Sequence, residues 1–151
     1  MDAEFGPILA ARSAGLCVEC GKCVTVCPMA EMYPDFGWET SPRGLVQLAL
    51  RGRELLAGQG LWRCTLCEAC TRTCPAGVDC CGLVADLRPL ARAELGGESA
   101  GQAPAACACC GADLPPAPVL AYLRRALPQV PLEYLDLCPA CRRERYIRNN
   151  S

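Results

Sequence analysis

The chain has 151 residues, 52% of them hydrophobic, with 15 Lys and Arg against 16 Asp and Glu and a formal net charge of −1. That length fits one domain with its own core or two small modules that each need a staple, and the near-neutral charge offers no basic footprint, so nucleic acid is not an expected partner. Histidine is absent, which removes the commonest general acid/base and rules out Cys-His zinc sites, His-ligated haem and Rieske-type centres.

From the N-terminus, Met1 to Ala14 carry Asp2 and Glu4 and only a brief apolar stretch, Ile8 to Ala11. An export signal has a basic start and a longer apolar segment, so the expected compartment is cytoplasmic, where thiols stay reduced and free to bind metal. Fifteen cysteines then have to be explained, and they are grouped at short regular gaps rather than scattered as buried apolar residues would be. The first group, Cys17, Cys20, Cys23 and Cys27 followed by Pro28, has the spacing C-x2-C-x2-C-x3-C-P. Next comes a helix signal: Ser41 suits an N-cap, Pro42 the first helical position, and Leu45, Leu48 and Ala49 recur at helical spacing, with Gly58 and Gly60 marking the end. Its apolar run, Gly44 to Leu50, stops at Arg51, far short of the roughly 20 residues a membrane helix needs.

The second group, Cys64, Cys67, Cys70 and Cys74 followed by Pro75, repeats the first spacing. Leu83 to Leu95 reads as a further helix that Pro89 would kink or split. Residues 96–104, rich in Gly, Ser and Ala, read as a linker, so the expected organisation is one domain over 1–95 and a small cysteine-rich metal-binding module over 105–151. That module opens with Cys107, Cys109, Cys110 and Gly111, passes through a short helix (Val119 to Leu127) and a strand-like stretch (Leu132 to Leu137), and closes with Cys138, Pro139 and Cys141. Its basic tail, Arg142, Arg143, Arg145 and Arg148, reads as a solvated face.

A 4Fe-4S cubane presents four iron corners, each needing one thiolate. Three cysteines two residues apart can wrap three corners, and in two-cluster ferredoxins the last cysteine of each C-x2-C-x2-C-x3-C-P run ligates the other cluster. This assigns one cluster to Cys17, Cys20, Cys23 and Cys74, and the other to Cys64, Cys67, Cys70 and Cys27. Zinc knuckles use cysteine pairs, not quartets at this spacing. Gly21 reads either as a close approach of backbone to cluster or as an ordinary tight turn.

The stretch Cys17 to about Ala91 resembles the C subunit of heterodisulfide reductase and its relatives, including the iron-sulfur regions of succinate dehydrogenase and of the C subunit of anaerobic glycerol-3-phosphate dehydrogenase. The matching pieces are Cys20 to Cys23, Ser41-Pro42-Arg43, Leu61 to Cys67, and Cys74 to Asp79. The 36 residues between Cys27 and Cys64 separate it from compact bacterial ferredoxins, whose two motifs are joined by a shorter connection. The resemblance implies a mainly α fold, the α-helical ferredoxin with two 4Fe-4S clusters. It also implies a non-catalytic relay subunit of a multi-subunit oxidoreductase complex, passing single electrons between a flavin-containing flavoprotein partner and a catalytic or acceptor subunit. The chain has no glycine-rich dinucleotide fingerprint and no Walker-type loop, which agrees with such a role. No membrane span is expected, and an indirect membrane association through a partner stays open.

Cys107, Cys110, Cys138 and Cys141 resemble a zinc-ribbon ligand set, with 27 residues between the pairs, and a structural zinc would staple a module with few large apolar side chains. The same cysteines, with Cys109, also resemble the CCG motif found in the B subunit of heterodisulfide reductase, with Cys80 and Cys81 as upstream candidates; that alternative would make the chain a catalytic subunit reducing a disulfide-like substrate at an unusual cluster. A third alternative is an iron-sulfur scaffold protein. Cys80 and Cys81 otherwise read as buried thiols at a helix start, and Cys109 as spare or exchanging roles with Cys107.

Overall fold

The computed structural model describes residues 4–94 and 105–149. Two compact units emerge, Met1–Gln102 and Ala103–Ser151. Among the described residues the chain is mainly helical and has no β-strand, only an isolated bridge between Ala106 and Asp113. No described helix is long and apolar enough to cross a membrane. The run read as a linker lies outside the described residues.

The first unit contains α1 (Phe5–Ala11), α2 (Lys22–Thr25), α3 (Met29–Met32), α4 (Pro42–Arg51), α5 (Gly60–Arg63), α6 (Ala69–Thr73) and α7 (Cys80–Glu94), with 3-10 turns at Ala14–Leu16, Trp38–Thr40 and Arg53–Ala57. Helix α4 starts where the sequence signals place it. The Ser41 hydroxyl accepts the Gly44 N–H at 3.1 Å and donates to the Trp38 carbonyl at 2.7 Å, while Pro42 fills the first position, whose N–H has no helical partner in any case. Gly44 is needed by close approach, since a Cβ there would lie 1.7 Å from the Trp38 carbonyl oxygen. The helix ends at Arg51 and not near Gly58, because the chain tightens into the 3-10 turn Arg53–Ala57; Gly60 opens α5 instead.

Helix α7 begins three residues before the sequence reading and runs through Pro89 without interruption. Asp79 explains the early start: its carboxylate accepts the Gly82 N–H at 2.9 Å and its carbonyl the Leu83 N–H. Pro89 is exposed, and so is Ala85 one turn back, so the carbonyl left without a helical partner faces water. Arg12 clamps α7 to the segment after α1, donating to Asp79 at 2.8 Å and to Asp86 at 2.7 Å. Leu45, Val46, Leu56, Leu61, Leu83, Val84 and Leu87 form the core of this unit, each large apolar side chain contributing about 1.5–3 kcal/mol by leaving water. Arg63, only 5% exposed, is held by a bidentate pair with Asp35 at 2.8 Å and stacks over Tyr33.

The second unit holds α8 (Ala117–Ala126), α9 (Leu132–Leu135) and α10 (Pro139–Asn149). The stretch expected as a strand over Leu132 to Leu137 is a single helical turn. Pro131 fixes the entry, the Tyr134 N–H returns to the Pro131 carbonyl at 2.9 Å, and Leu135 and Leu137 turn inward. The basic tail is helix α10, which buries no residue.

Candidate metal centres

The two four-cysteine runs adopt the same backbone. Glu19 and Leu66, the residues before the second cysteine of each run, both have positive φ, 54° and 56°, and so do Gly21 and Glu68, the residues after it, at 78° and 63°. Left-handed residues in such loops turn successive N–H groups to one side, forming the concave nests found at anion and iron-sulfur sites. Three non-glycine residues adopt a conformation unfavourable to L side chains, so the requirement lies in the loop itself. For Gly21 the left-handed backbone is the reason for glycine; a Cβ there would meet only the Arg43 guanidinium at 3.7 Å.

Each run then enters a short helix, α2 after Gly21 and α6 after Glu68, carrying the third cysteine, Cys23 or Cys70. Helices α2 and α6 pack on each other, which delivers the fourth cysteine of each run to the opposite loop. One cavity is lined by Cys17, Cys20, Cys23 and Cys74, with Gly21, Arg43 and Pro75 at its wall. A second is lined by Cys64, Cys67, Cys70 and Cys27, with Pro28, Pro42 and Leu45. Each thus draws three cysteines from one run and one from the other.

The surroundings suit thiolate ligands of an anionic group. The Leu66 N–H donates to Cys64 Sγ at 3.4 Å and the Val78 N–H to Cys74 Sγ at 3.3 Å. Burial pushes the thiols of Cys27 and Cys64 up to about 11, partly offset by the N–H groups of Met29 and Leu66, so they carry protons at neutral pH and metal loading must displace them. Arg88 donates to the carbonyls of Leu61 and Cys64, at 2.7 and 2.5 Å, fixing the start of the second run. No sequence signal marks Arg88, and Cys80 reads there as standing outside the cluster ligands. Cys80 opens α7 as the buried thiol expected at a helix start and begins its buried stripe, which continues with Leu83, Val84, Leu87 and Ala91.

The second unit gathers its sulfurs differently. Cys107, Cys110, Cys138 and Cys141 bring their Sγ atoms within 4.8 Å of one another, with Cys110 and Cys138 at 3.6 Å. A tetrahedral zinc with Zn–S near 2.3 Å puts its sulfurs roughly 3.8 Å apart, so the set has single-ion dimensions. No other such group occurs among the described residues, and the eight cysteines of the first unit are spread around cavities instead. Gly111, at φ +74°, closes the first knuckle, where its N–H donates to the Cys107 carbonyl at 3.0 Å. The Cys138 N–H donates to Cys107 Sγ at 3.2 Å and the Cys141 N–H to Cys138 Sγ at 3.5 Å. N–H groups of Cys110 and Cys138 lower the Cys107 thiol to about 6, readying it as a ligand. Cys109 is exposed and stands outside the quartet, beside Cys141 and Arg148.

Residues 11–78 match the family model of the 4Fe-4S dicluster domain. The chain is similar to a heterodisulfide reductase C-subunit-like protein of Archaeoglobus profundus, 33% identical over half of this chain and 39% of the relative. The C subunit of a ferredoxin:CoB-CoM heterodisulfide reductase of Methanosarcina acetivorans is 34% identical, over 53% of this chain and 32% of the relative. A fumarate reductase iron-sulfur subunit of Mycobacterium tuberculosis is 32% identical, over 48% and 33%. The chain therefore spans well under half the length of these three relatives. No solved structure matches it.

Proposed function

We propose that this chain is an electron-transfer subunit of a multi-subunit oxidoreductase of the heterodisulfide reductase type. It would hold two 4Fe-4S clusters, one on Cys17, Cys20, Cys23 and Cys74 and one on Cys64, Cys67, Cys70 and Cys27, and relay single electrons between a flavin-containing partner and a catalytic or acceptor partner. The observation that carries this reading is the division of the eight cysteines between two cavities, three from one run and one from the other in each.

When bound, each cluster supplies one-electron redox chemistry at iron. The chain's own residues set the conditions. The left-handed loops aim N–H groups at the ligand side, and Leu66 and Val78 donate to ligand sulfurs. Pro42, Leu45 and Val84 keep the second cavity largely apolar, whereas Cys20 and Cys67 are exposed and give each centre an outward-facing ligand. The relatives named as subunits of heterodisulfide reductases support the assembly context. The second unit is a structural clip, with zinc on Cys107, Cys110, Cys138 and Cys141, joined through residues 96–104 to the cluster domain at 1–95.

Anaerobic purification with metal and sulfide analysis, followed by redox titration, tests the proposal. About eight iron with one zinc per chain, and two centres that reduce reversibly, are expected. Iron well above eight without zinc would move the chemistry to the C-terminal cysteines, and centres that cannot be reduced would leave only a scaffold role.

A further inference from the structure

In the run Ser41-Pro42-Arg43, Ser41 caps α4 and Pro42 fills its first position, which leaves Arg43 without a part in the helix start. Its side chain reaches back to the first cysteine loop, where Nη1 donates to the Glu19 carbonyl at 3.4 Å, and it lines the first cavity beside Cys17, Cys20, Cys23 and Cys74. Arg43 is half-buried, but its Nε is shut off from solvent and the chain offers that N–H no acceptor. Tyr33 Oη, Trp62 Nε1 and Arg63 Nε share the condition, yet none of those three residues lines either cysteine cavity.

We propose that the Arg43 Nε–H is the donor kept for the cluster of the first cavity, bonding to one of its sulfurs and making that centre the one of higher potential. This deepens the function proposed above and rests on its ligand assignment. A buried donor left without a partner costs stability, more so on a charged group, and the acceptor that four thiolates and a cubane bring to this wall is anionic sulfur. A guanidinium N–H on a charged acceptor makes a bond roughly twice as strong as a neutral one. Reduction adds an electron to the cluster, so the bond and the positive charge both favour the reduced form. The second cavity has no counterpart. Among the described residues, Glu68 is the charged side chain at its wall, as Glu19 is at the first, so Arg43 is the difference in charge between the two. Arg88 stands behind the second loop, bonded to the carbonyls of Leu61 and Cys64, and does not line the cavity. The relay is therefore ordered. The first electron rests on the centre held by Cys17, Cys20, Cys23 and Cys74, and the second centre passes electrons downhill to it.

The test is an EPR-monitored redox titration of the full chain, loaded anaerobically, as wild type, Arg43→Lys and Arg43→Met, with Cys17→Ser marking which signal belongs to the first centre. In the wild type the first centre is expected to reduce at the higher potential. Arg43→Met removes charge and donor together and is expected to lower that centre alone, its reduced-to-oxidised ratio at fixed potential falling by about tenfold, ~59 mV for one electron. Arg43→Lys keeps the charge but puts a methylene where Nε stood, and is expected to fall between the two. The inference is overturned if the first centre is the lower of the pair in the wild type, if Arg43→Met moves neither potential or both alike, or if Arg43→Lys matches the wild type, which would leave charge alone at work. The wild-type order is read without any variant of Arg43, so a variant that fails to load does not shield the inference. Wild-type iron well below about eight per chain overturns the ligand assignment beneath it, and is measured first.

Discussion

Four left-handed residues, Glu19, Gly21, Leu66 and Glu68, show what the cysteine loops demand of their backbone. Only one of the four is glycine, so three side chains tolerate a conformation that costs about 1–2 kcal/mol per residue in L-amino acids. Gly21→Ala is accordingly expected to lower stability by about 1 kcal/mol, whereas Glu68→Gly removes that strain and is expected to be neutral or stabilising; anaerobic denaturant unfolding of the loaded protein compares the two. Arg43 makes a second prediction at this scale. Its guanidinium lines the first cavity, and a cation stabilises the more negative, reduced form of whatever is held there, so Arg43→Gln is expected to lower the potential of one centre and leave the other in place, as read by redox titration. The eight cysteines are legible in the sequence because thiolate ligation demands fixed gaps. The place of Cys80 is not, because it packs against the Pro42 carbonyl, 38 residues away along the chain.

Caps and clamps decide where the helices begin. Ser41 is 2% exposed and satisfies both the Gly44 N–H and the Trp38 carbonyl, so Ser41→Ala is expected to cost about 1–2 kcal/mol, visible as a lower melting temperature of the cluster domain. Asp79 does the same for α7 and also receives Arg12 and Thr71. The Gly82 N–H, then Arg12 and Thr71, hold its carboxyl below the ordinary value of 3.8. The stabilisation is therefore complete above that value and is lost as pH falls further, through the lower folded-state value. Asp79→Asn should lessen that acid-dependent part of the stability, measured by unfolding across roughly pH 2–5, which brackets the ordinary carboxylate range. The start of α4 is legible from Ser41 and Pro42, since a cap is a local device. The start of α7 is legible only in part, since Cys80 and Cys81 read as thiols at a helix start while the apolar period sets in at Leu83. The stretch Leu132 to Leu137 reads as a strand because so short a run of mixed polarity fits either period, and Pro131 settles the matter in the fold.

At the scale of the whole molecule, two units use cysteine in two ways. The first spreads eight sulfurs around cavities lined on one side by an apolar core of its own, while the second draws four sulfurs together over a core of few buried side chains, among them Leu114, Leu137 and Cys107. The fold class is legible because both cysteine runs and the helix between them carry strong local signals; the quartet's single-ion dimensions are not, since spacing alone suits zinc and clusters alike. Cys107→Ser is expected to abolish zinc binding and make residues 105–149 protease-sensitive while iron content stays unchanged. Most of all, the proposed relay depends on the exchange of Cys27 and Cys74 between the two runs. The direct measurement is the EPR spectrum of the reduced protein in four single variants, Cys17→Ser, Cys27→Ser, Cys64→Ser and Cys74→Ser. Exchange predicts that Cys27→Ser alters the same signal as Cys64→Ser, and Cys74→Ser the same signal as Cys17→Ser. If Cys27→Ser instead alters the signal changed by Cys17→Ser, each run completes its own cluster and the crossed assignment is contradicted.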